Sequence, residues 1–359
     1  MIPISKVWYP KKETLLTYID KIYDTGWATN NGPLVQEFEK RLEDYLGVKN
    51  LLCVASGSIA LEMAYTLLGL KDEVITTPFT FVSTTDTLVS KCLTPVYADI
   101  HKDYLTLDPK NIEDVITDKT TGIVPVHVFG NACQVDEIMD VAKKNNLKVV
   151  FDGAHAFGIN YKGQSVLNYG DISTLSFNAV KLFNSFEGGA IIIKDDKLYE
   201  EAKTMRQYGI TTLDGVGSQP GINGKMNELE AAVGLSVLDE MEEVQDERAT
   251  GYKHYTKHLS GLVQMQKINE DANYNYSYCP IILESVEEMH VVQEELMKNG
   301  IKPRQYFAPS LDILPYVEQR KPMTISRDYT SRILALPLHS GAEVKTTEVI
   351  IETLKNYRK

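Results

Sequence analysis

The chain has 359 residues, 43% of them hydrophobic, which is enough to bury a sizeable core in one large or two smaller domains. Its formal net charge of −12 excludes non-specific binding to nucleic acid or to anionic membrane, both of which select basic surfaces. Four cysteines (Cys53, Cys92, Cys133, Cys279) lie far apart with no CxxC spacing, so neither a disulfide framework nor a metal site is expected.

The first ten residues, MIPISKVWYP, carry no signal-peptide apolar stretch, and no run approaches membrane-spanning length. A cytoplasmic protein is expected. Helices are predicted over 13–25 and 34–46, the second with Leu34, Phe38, Leu42 and Leu46 along one face. Between them GWATNNGP reads as a loop. From Leu51 onward short apolar runs alternate with helical segments. Strands are predicted at 51–55, 74–77, 95–99, 123–128, 148–152, 173–177 and 190–194, with helices at 58–68, 83–90, 111–116 and 135–145. This alternation predicts an α/β fold with a mostly parallel sheet between helices. Residues 225–259 read as one long helix or a kinked pair. A strand at 276–283, a helix at 286–299, a strand at 334–337 and a helix at 346–357 then predict a smaller α+β domain. The expected division is 1–240 for the large domain and 241–359 for the small one.

The stretch FDGAHAFGINYKGQSVLNYGDISTLSFNAVKLFNSFEGGA (151–190) gathers the chemistry. One apolar run ends at Asp152; the next ends four residues before Lys181. Functional groups of open α/β sheets collect at the carboxyl ends of strands, so the two are expected to face one pocket. A lysine and a carboxylate beside a Gly-Gly turn suit a pyridoxal phosphate enzyme. There the lysine forms the Schiff base and the acid keeps the pyridine nitrogen protonated. Either residue alone reads better as an ordinary surface Lys or strand-end Asp; the two together, with their flanking residues, favour the enzyme. Val180, Leu182, Phe183 and Phe186 are expected to bury the Lys181 amine and favour its neutral form.

Other positions stay open between two readings. Gly57-Ser58 opens a helix after a strand, which suits a phosphate, while Ser58 equally suits a helix cap. Phe81, in PFTFVST, either lies against a flat ring or packs in the core. His155, three residues after Asp152, either approaches the ring or is a satisfied buried histidine. Ser176 offers a hydroxyl to a phosphate or to local backbone.

The motifs ASGSIAL, TTPFTFVST, PVHVFGNACQVDEI, FDGAHAFG, DISTLSFNAVKLFNSFEGGA, GINGKMNELEAAVGL and LALPLHS, in this order and over nearly the whole length, resemble the DegT/StrS family of pyridoxal phosphate-dependent sugar aminotransferases. The resemblance implies fold-type I, with Lys181 as Schiff-base lysine and Asp152 at the pyridine nitrogen. It implies His155 near the ring hydroxyl, Phe81 stacked on the ring, and Gly57, Ser58 and Ser176 at the phosphate. Asn223 resembles a residue that reaches the phosphate from the neighbouring subunit of a homodimer, with Lys225 competing for that alignment. TNNGP, DGAHAFG and VKLFNSFEGGA are similar to the viosamine-type members, 4-aminotransferases of dTDP-4-keto-6-deoxyglucose. Ser58, Gly153 and Asn178 depart from the usual Thr, Ala and His.

The reaction so implied takes nitrogen from L-glutamate, carries it as pyridoxamine phosphate, and delivers it to a nucleotide-linked 4-keto-6-deoxyhexose for O-antigen or other surface glycan. The alternatives are a 3-ketosugar aminotransferase and a non-catalytic regulator on the same fold. Related dehydratases carry His in place of the lysine, and Lys181 argues against that branch. Arg304, Tyr306, Arg332 and His339 are candidates to contact the substrates.

Overall fold

The computed structural model describes residues 1–359 except 211–216, 218, 319 and 340. Parts of the loop GVGSQPGING, from which Asn223 was expected to reach a neighbour, therefore lie outside the described residues.

Seven strands form the central sheet: β1 Leu51–Val54, β2 Glu73–Thr76, β3 Thr94–Tyr97, β4 Thr120–Val124, β5 Lys148–Asp152, β6 Ile172–Ser176 and β7 Gly189–Ile193. Their order is β1-β7-β6-β5-β4-β2-β3. All neighbours run parallel except β7, which is antiparallel to both β1 and β6. Each of the seven predicted strands is present, with ends shifted by a few residues.

Both faces of the sheet are covered, and strand alternation assigns the residues. Leu51, Cys53, Val149, Phe151, Ala190 and Ile192 join the core on one face. Leu52, Val54, Val150, Ile191 and Ile193 join the core on the other. The first face packs against α1 (Lys12–Thr25), α2 (Pro33–Leu46), α5 (Val135–Lys144) and α7 (Glu228–Asp239). The second packs against α3 (Gly57–Leu67), α4 (Ser83–Ser90) and α6 (Asp196–Arg206). Helix α6 was not expected. Its signal is Asp195, whose carboxylate accepts the amides of Lys197 and Leu198 as an N-cap.

The helical stretch after Gly224 is a pair, α7 and α8 (Met241–Leu259), broken at Glu240. It starts later than expected because Asn227 and Glu230 form a capping box. Met241 and Val244 of α8 belong to the sheet core, while Tyr255 and Leu259 belong to a separate core. That second core covers β8 (Gln264–Met265), β9 (Cys279–Ile282) and β10 (Ile333–Leu336), packed by α9 (Val286–Lys298) and α11 (Glu343–Tyr357). Helix α10 (Thr324–Arg332) was also not anticipated. No helix among the described residues is long and apolar enough to cross a membrane.

Candidate active site

The site lies at the carboxyl ends of the parallel strands. After β1, Ser56 caps α3 by accepting the amide of Ile59 at 3.2 Å. Ser58 is thus not the cap; it sits in the first helical turn, where the helix offers no acceptor for the amides of Gly57 and Ser58. The Ser58 hydroxyl lies 2.6 Å from that of Ser83. Glycine is required at 57: an added Cβ would stand 2.9 Å from Ser176 Cβ and 3.3 Å from the Leu175 carbonyl oxygen. Ser176 and the helix amides thereby share one corner.

Asp152 ends β5 and is buried. Its Oδ2 accepts the Thr84 hydroxyl at 2.8 Å and its Oδ1 accepts the Ala154 amide at 3.1 Å. No cation among the described residues pairs with it within ion-pair distance. Burial raises its pKa, against the lowering pull of those two hydrogen bonds and of Lys181. A cation delivered to this carboxylate, such as a protonated pyridine nitrogen, would relieve that penalty.

Lys181 rides on the loop between β6 and β7, which leaves and re-enters the sheet at one point because Gly189 pairs with Ser176. The loop is closed by Phe177 N–H to the Gly188 carbonyl and Ser185 N–H to the Phe177 carbonyl, both at 2.9 Å. Gly188 has φ of +144°, which only glycine adopts readily. Phe183 stacks on Phe157 at 4.2 Å and meets Phe177 edge-on at 5.1 Å, pinning the loop to the core. Leu182 and Phe183 are buried as expected, but Val180 and Phe186 are exposed. The Lys181 amine faces a cavity that opens to solvent past Phe81 and Glu187. Burial lowers its pKa to about 8, against the raising effect of Asp152 and assisted by the Arg304 charge. At neutral pH an appreciable fraction is therefore already the free amine, the nucleophilic and basic form.

That cavity, of about 400 Å³, brings together seven of the eight expected residues: Gly57, Ser58, Phe81, Asp152, His155, Ser176 and Lys181. Phe81 is 50% exposed, so its core reading fails. His155 is buried, and its Nδ1 accepts the Phe129 amide at 3.1 Å. Burial, with the Lys181 charge, holds its pKa well below the usual value. The neutral ring therefore carries its proton on Nε2, the remaining donor.

Asn223 does not line this cavity. It is exposed, and its Oδ1 accepts Lys225 Nζ at 2.6 Å. Among the substrate candidates, Arg304 and Tyr306 line the cavity. Arg332 instead pairs with Asp328 at 2.7 Å, and His339 lies 2.8 Å from the Pro3 carbonyl. Thr84, Tyr278 and Glu187 also line the cavity and escaped the sequence reading of the site. Thr84 meets Asp152 across 68 positions of sequence, which no local pattern announces.

A model of the DegT/DnrJ/EryC1/StrS aminotransferase family matches residues 10–355. The chain belongs to this family. It is 37% identical over 366 residues to a dTDP-4-amino-4,6-dideoxy-D-glucose transaminase of Shigella dysenteriae, covering 97% of each chain. Among solved structures it is similar to DesI in the presence of its TDP-sugar product, with TM-score 0.90 and 30% identity over 99% of this chain and 95% of that one. It is also similar to Spr1654 of Streptococcus pneumoniae in its PMP form, with TM-score 0.89 and 27% identity over 99% and 98% of the two chains.

The DegT-family chain is thus an aminotransferase of fold-type I, and its cofactor is pyridoxal 5′-phosphate. The residues present fit that group. A buried carboxylate wants a cation, free helix amides and hydroxyls suit a phosphate, and a lysine with lowered pKa lines the same cavity. When bound, the cofactor supplies an electron sink for the carbon that carries the amine.

Proposed function

We propose that this DegT-family enzyme moves an amino group from L-glutamate to the 4-keto group of a nucleotide-linked 4-keto-6-deoxyhexose, dTDP-4-keto-6-deoxyglucose first among them. The product would feed O-antigen or another surface glycan. The observation that carries the reading is the full-length similarity to the Shigella transaminase, joined to a cavity that keeps Lys181 and Asp152 together. The TDP-sugar product present with DesI supports the nucleotide.

In this reading Lys181 holds the cofactor at rest. As the free amine it would move the proton at the substrate carbon that bears the nitrogen. Asp152 keeps the pyridine nitrogen protonated, and Thr84 and the Ala154 amide orient that carboxylate. His155 would donate from Nε2 to the ring hydroxyl, and Phe81 would cover the ring face. Gly57, Ser58 and Ser176 would take the phosphate. Residues 1–240 form the cofactor-binding domain; residues 241–359 form the smaller one, which contributes Tyr278, Arg304 and Tyr306 to the cavity.

The substrate test is incubation with glutamate and either the 4-keto or the 3-keto isomer, with the product assigned by NMR. Amination at C4 is expected. Amination only at C3 would sink the 4-ketosugar reading and leave the cofactor chemistry standing.

A homodimer with shared sites is part of the proposal. Tyr9 is 71% exposed and meets Phe186 edge-on at 5.8 Å, beside Glu187 on the cavity wall. Tyr208, half exposed, lies 4.3 Å beneath Lys225, which in turn holds Asn223. Exposed aromatic surface of this kind is what an interface covers. Sedimentation at assay concentration should give twice the chain mass; a fully active monomer would exclude the shared site.

A further inference from the structure

We infer that Arg304 is the receptor for the α-carboxylate of the amino donor. This rests on the reading above, in which an α-amino acid gives up its nitrogen in this cavity. Arg304 and Lys181 are the two basic side chains that line it. Arg41, Arg206, Arg320, Arg327, Arg332 and Arg358 each pair with a carboxylate. Arg248 donates to the Ser277 carbonyl. Among the described residues Arg304, like Arg248, has no carboxylate within ion-pair distance, and of these two it is Arg304 that lines the cavity. The two acidic residues of the cavity are otherwise engaged: Asp152 with Thr84, and Glu187 with the Asn178 amide at 2.7 Å.

What holds Arg304 is neutral. Its guanidinium stands 4.6 Å over the ring of Tyr306. Tyr306 is buried, against Tyr278 and Phe129. The Arg304 carbonyl accepts the Ala335 amide at 2.8 Å, fixing the start of the side chain. A cation–π contact orients a guanidinium and leaves its charge uncompensated. The result is a planar, positioned donor fork open to an anion, and a carboxylate fits that fork in bidentate fashion.

Two substrate anions compete for the assignment, a carboxylate and the diphosphate of the nucleotide sugar. Position favours the carboxylate. Arg304 is close enough to Lys181 for its charge to act on that amine. Lys181 works at the carbon bearing the nitrogen, and the α-carboxylate is bonded to that same carbon. The diphosphate of a 4-ketosugar is attached across the width of the ring. Since no carboxylate ties Arg304 down and its residue is exposed, the head group is free to swing aside when the sugar replaces the amino acid.

The test compares glutamate with 4-aminobutyrate, which keeps the amine and the distal carboxylate but lacks the α-carboxylate. Loss of a paired, partly desolvated charge predicts that Arg304→Gln weakens glutamate about 100-fold in the first half-reaction, followed by the cofactor spectrum. Any effect of the lost charge on the Lys181 amine is common to both amines, so 4-aminobutyrate should lose far less than glutamate, and Arg304→Lys should restore part of the glutamate rate. The second half-reaction, started from aminated enzyme with the ketosugar, should fall no further than the 4-aminobutyrate reaction does. Calorimetric titration of the holoenzyme with glutarate, which cannot react, should show weaker binding in Arg304→Gln. Unchanged glutamate, an equal loss for both amines, or a loss confined to the ketosugar would each overturn the assignment. Should the wild-type enzyme take nitrogen from glutamate yet aminate no nucleotide ketosugar, the sugar reading fails while the Arg304 comparison still reads out.

Discussion

Lys181→Ala should abolish the absorbance band of the lysine-bound cofactor and lower turnover by a factor on the order of 10,000, because it removes both the attachment point and the proton carrier. Far-UV circular dichroism should be unchanged: the loop is held by Phe177, Phe183 and the Gly188 turn, not by the amine. The same variant carries a stability signature. The amine is buried, and its folded-state pKa is about 8 against an ordinary 10.5. Below pH 8 it is charged in both states, and the folded state bears the whole penalty. Between about 8 and 10.5 the unfolded state binds more protons, so the wild-type apoprotein gains stability as pH rises. The shift corresponds to something on the order of 3 kcal/mol. Lys181→Ala apoprotein should therefore unfold at higher denaturant concentration than wild type at pH 7, with the advantage shrinking above pH 8. A variant equal to wild type at pH 7 would show that the amine is not buried as described, and one that kept both the lysine-bound absorbance band and turnover would remove Lys181 from the chemistry.

Asp152→Asn carries the second large effect. The amide is nearly isosteric and still offers Oδ1 to the Ala154 amide, while Thr84 can turn its hydroxyl to either partner. Fold and cofactor binding should thus survive. The negative charge does not, and with it goes the group that keeps the pyridine nitrogen protonated. A fall in kcat of about 1,000-fold is expected, with glutamate KM changed far less, since electrostatic support is realised mainly in the transition state. A fall of less than tenfold would show that Asp152 is a structural acid at a strand end. In stability the substitution works the other way from the usual salt-bridged carboxylate. Burial raises the pKa of Asp152, so the folded apoprotein binds its proton at pH values where the unfolded chain has lost it. Its cost thus grows as pH rises through that range, and Asp152→Asn should relieve it at neutral pH.

The order of strands and helices was legible because periodicity is local. Apolar runs of four or five residues separated by amphipathic segments admit few arrangements other than a covered, mostly parallel sheet. The reversed direction of β7 was not legible, since Gly189–Ile193 reads as the same apolar run either way. Helices α6 and α10 escaped because their hydrophobic pattern is weak and their stability comes from tertiary packing and, in α6, an Asp cap. In the site, the neighbourhood of Lys181 was read as apolar throughout. The loop in fact turns Leu182 and Phe183 inward and leaves Val180 and Phe186 outside. Ser58 was weighed as a cap, a task that belongs to Ser56.

What the sequence determined by itself was most of the strands and helices, the family motifs and the pairing of a strand-end acid with a lysine before a Gly-Gly turn. Each is written within a few tens of residues, where spacing alone fixes geometry. Only the tertiary structure decided which distant groups share the cavity: Thr84 on Asp152, the Phe129 amide on His155, and Arg304 and Tyr306 carried in by the C-terminal part of the chain. It also decided that Arg332 and His339 stay outside. The reason is that burial, charge compensation and hydrogen-bond partners are properties of space. An arginine that ends in an ion pair and one that is left open to a substrate read alike until the chain is folded around them.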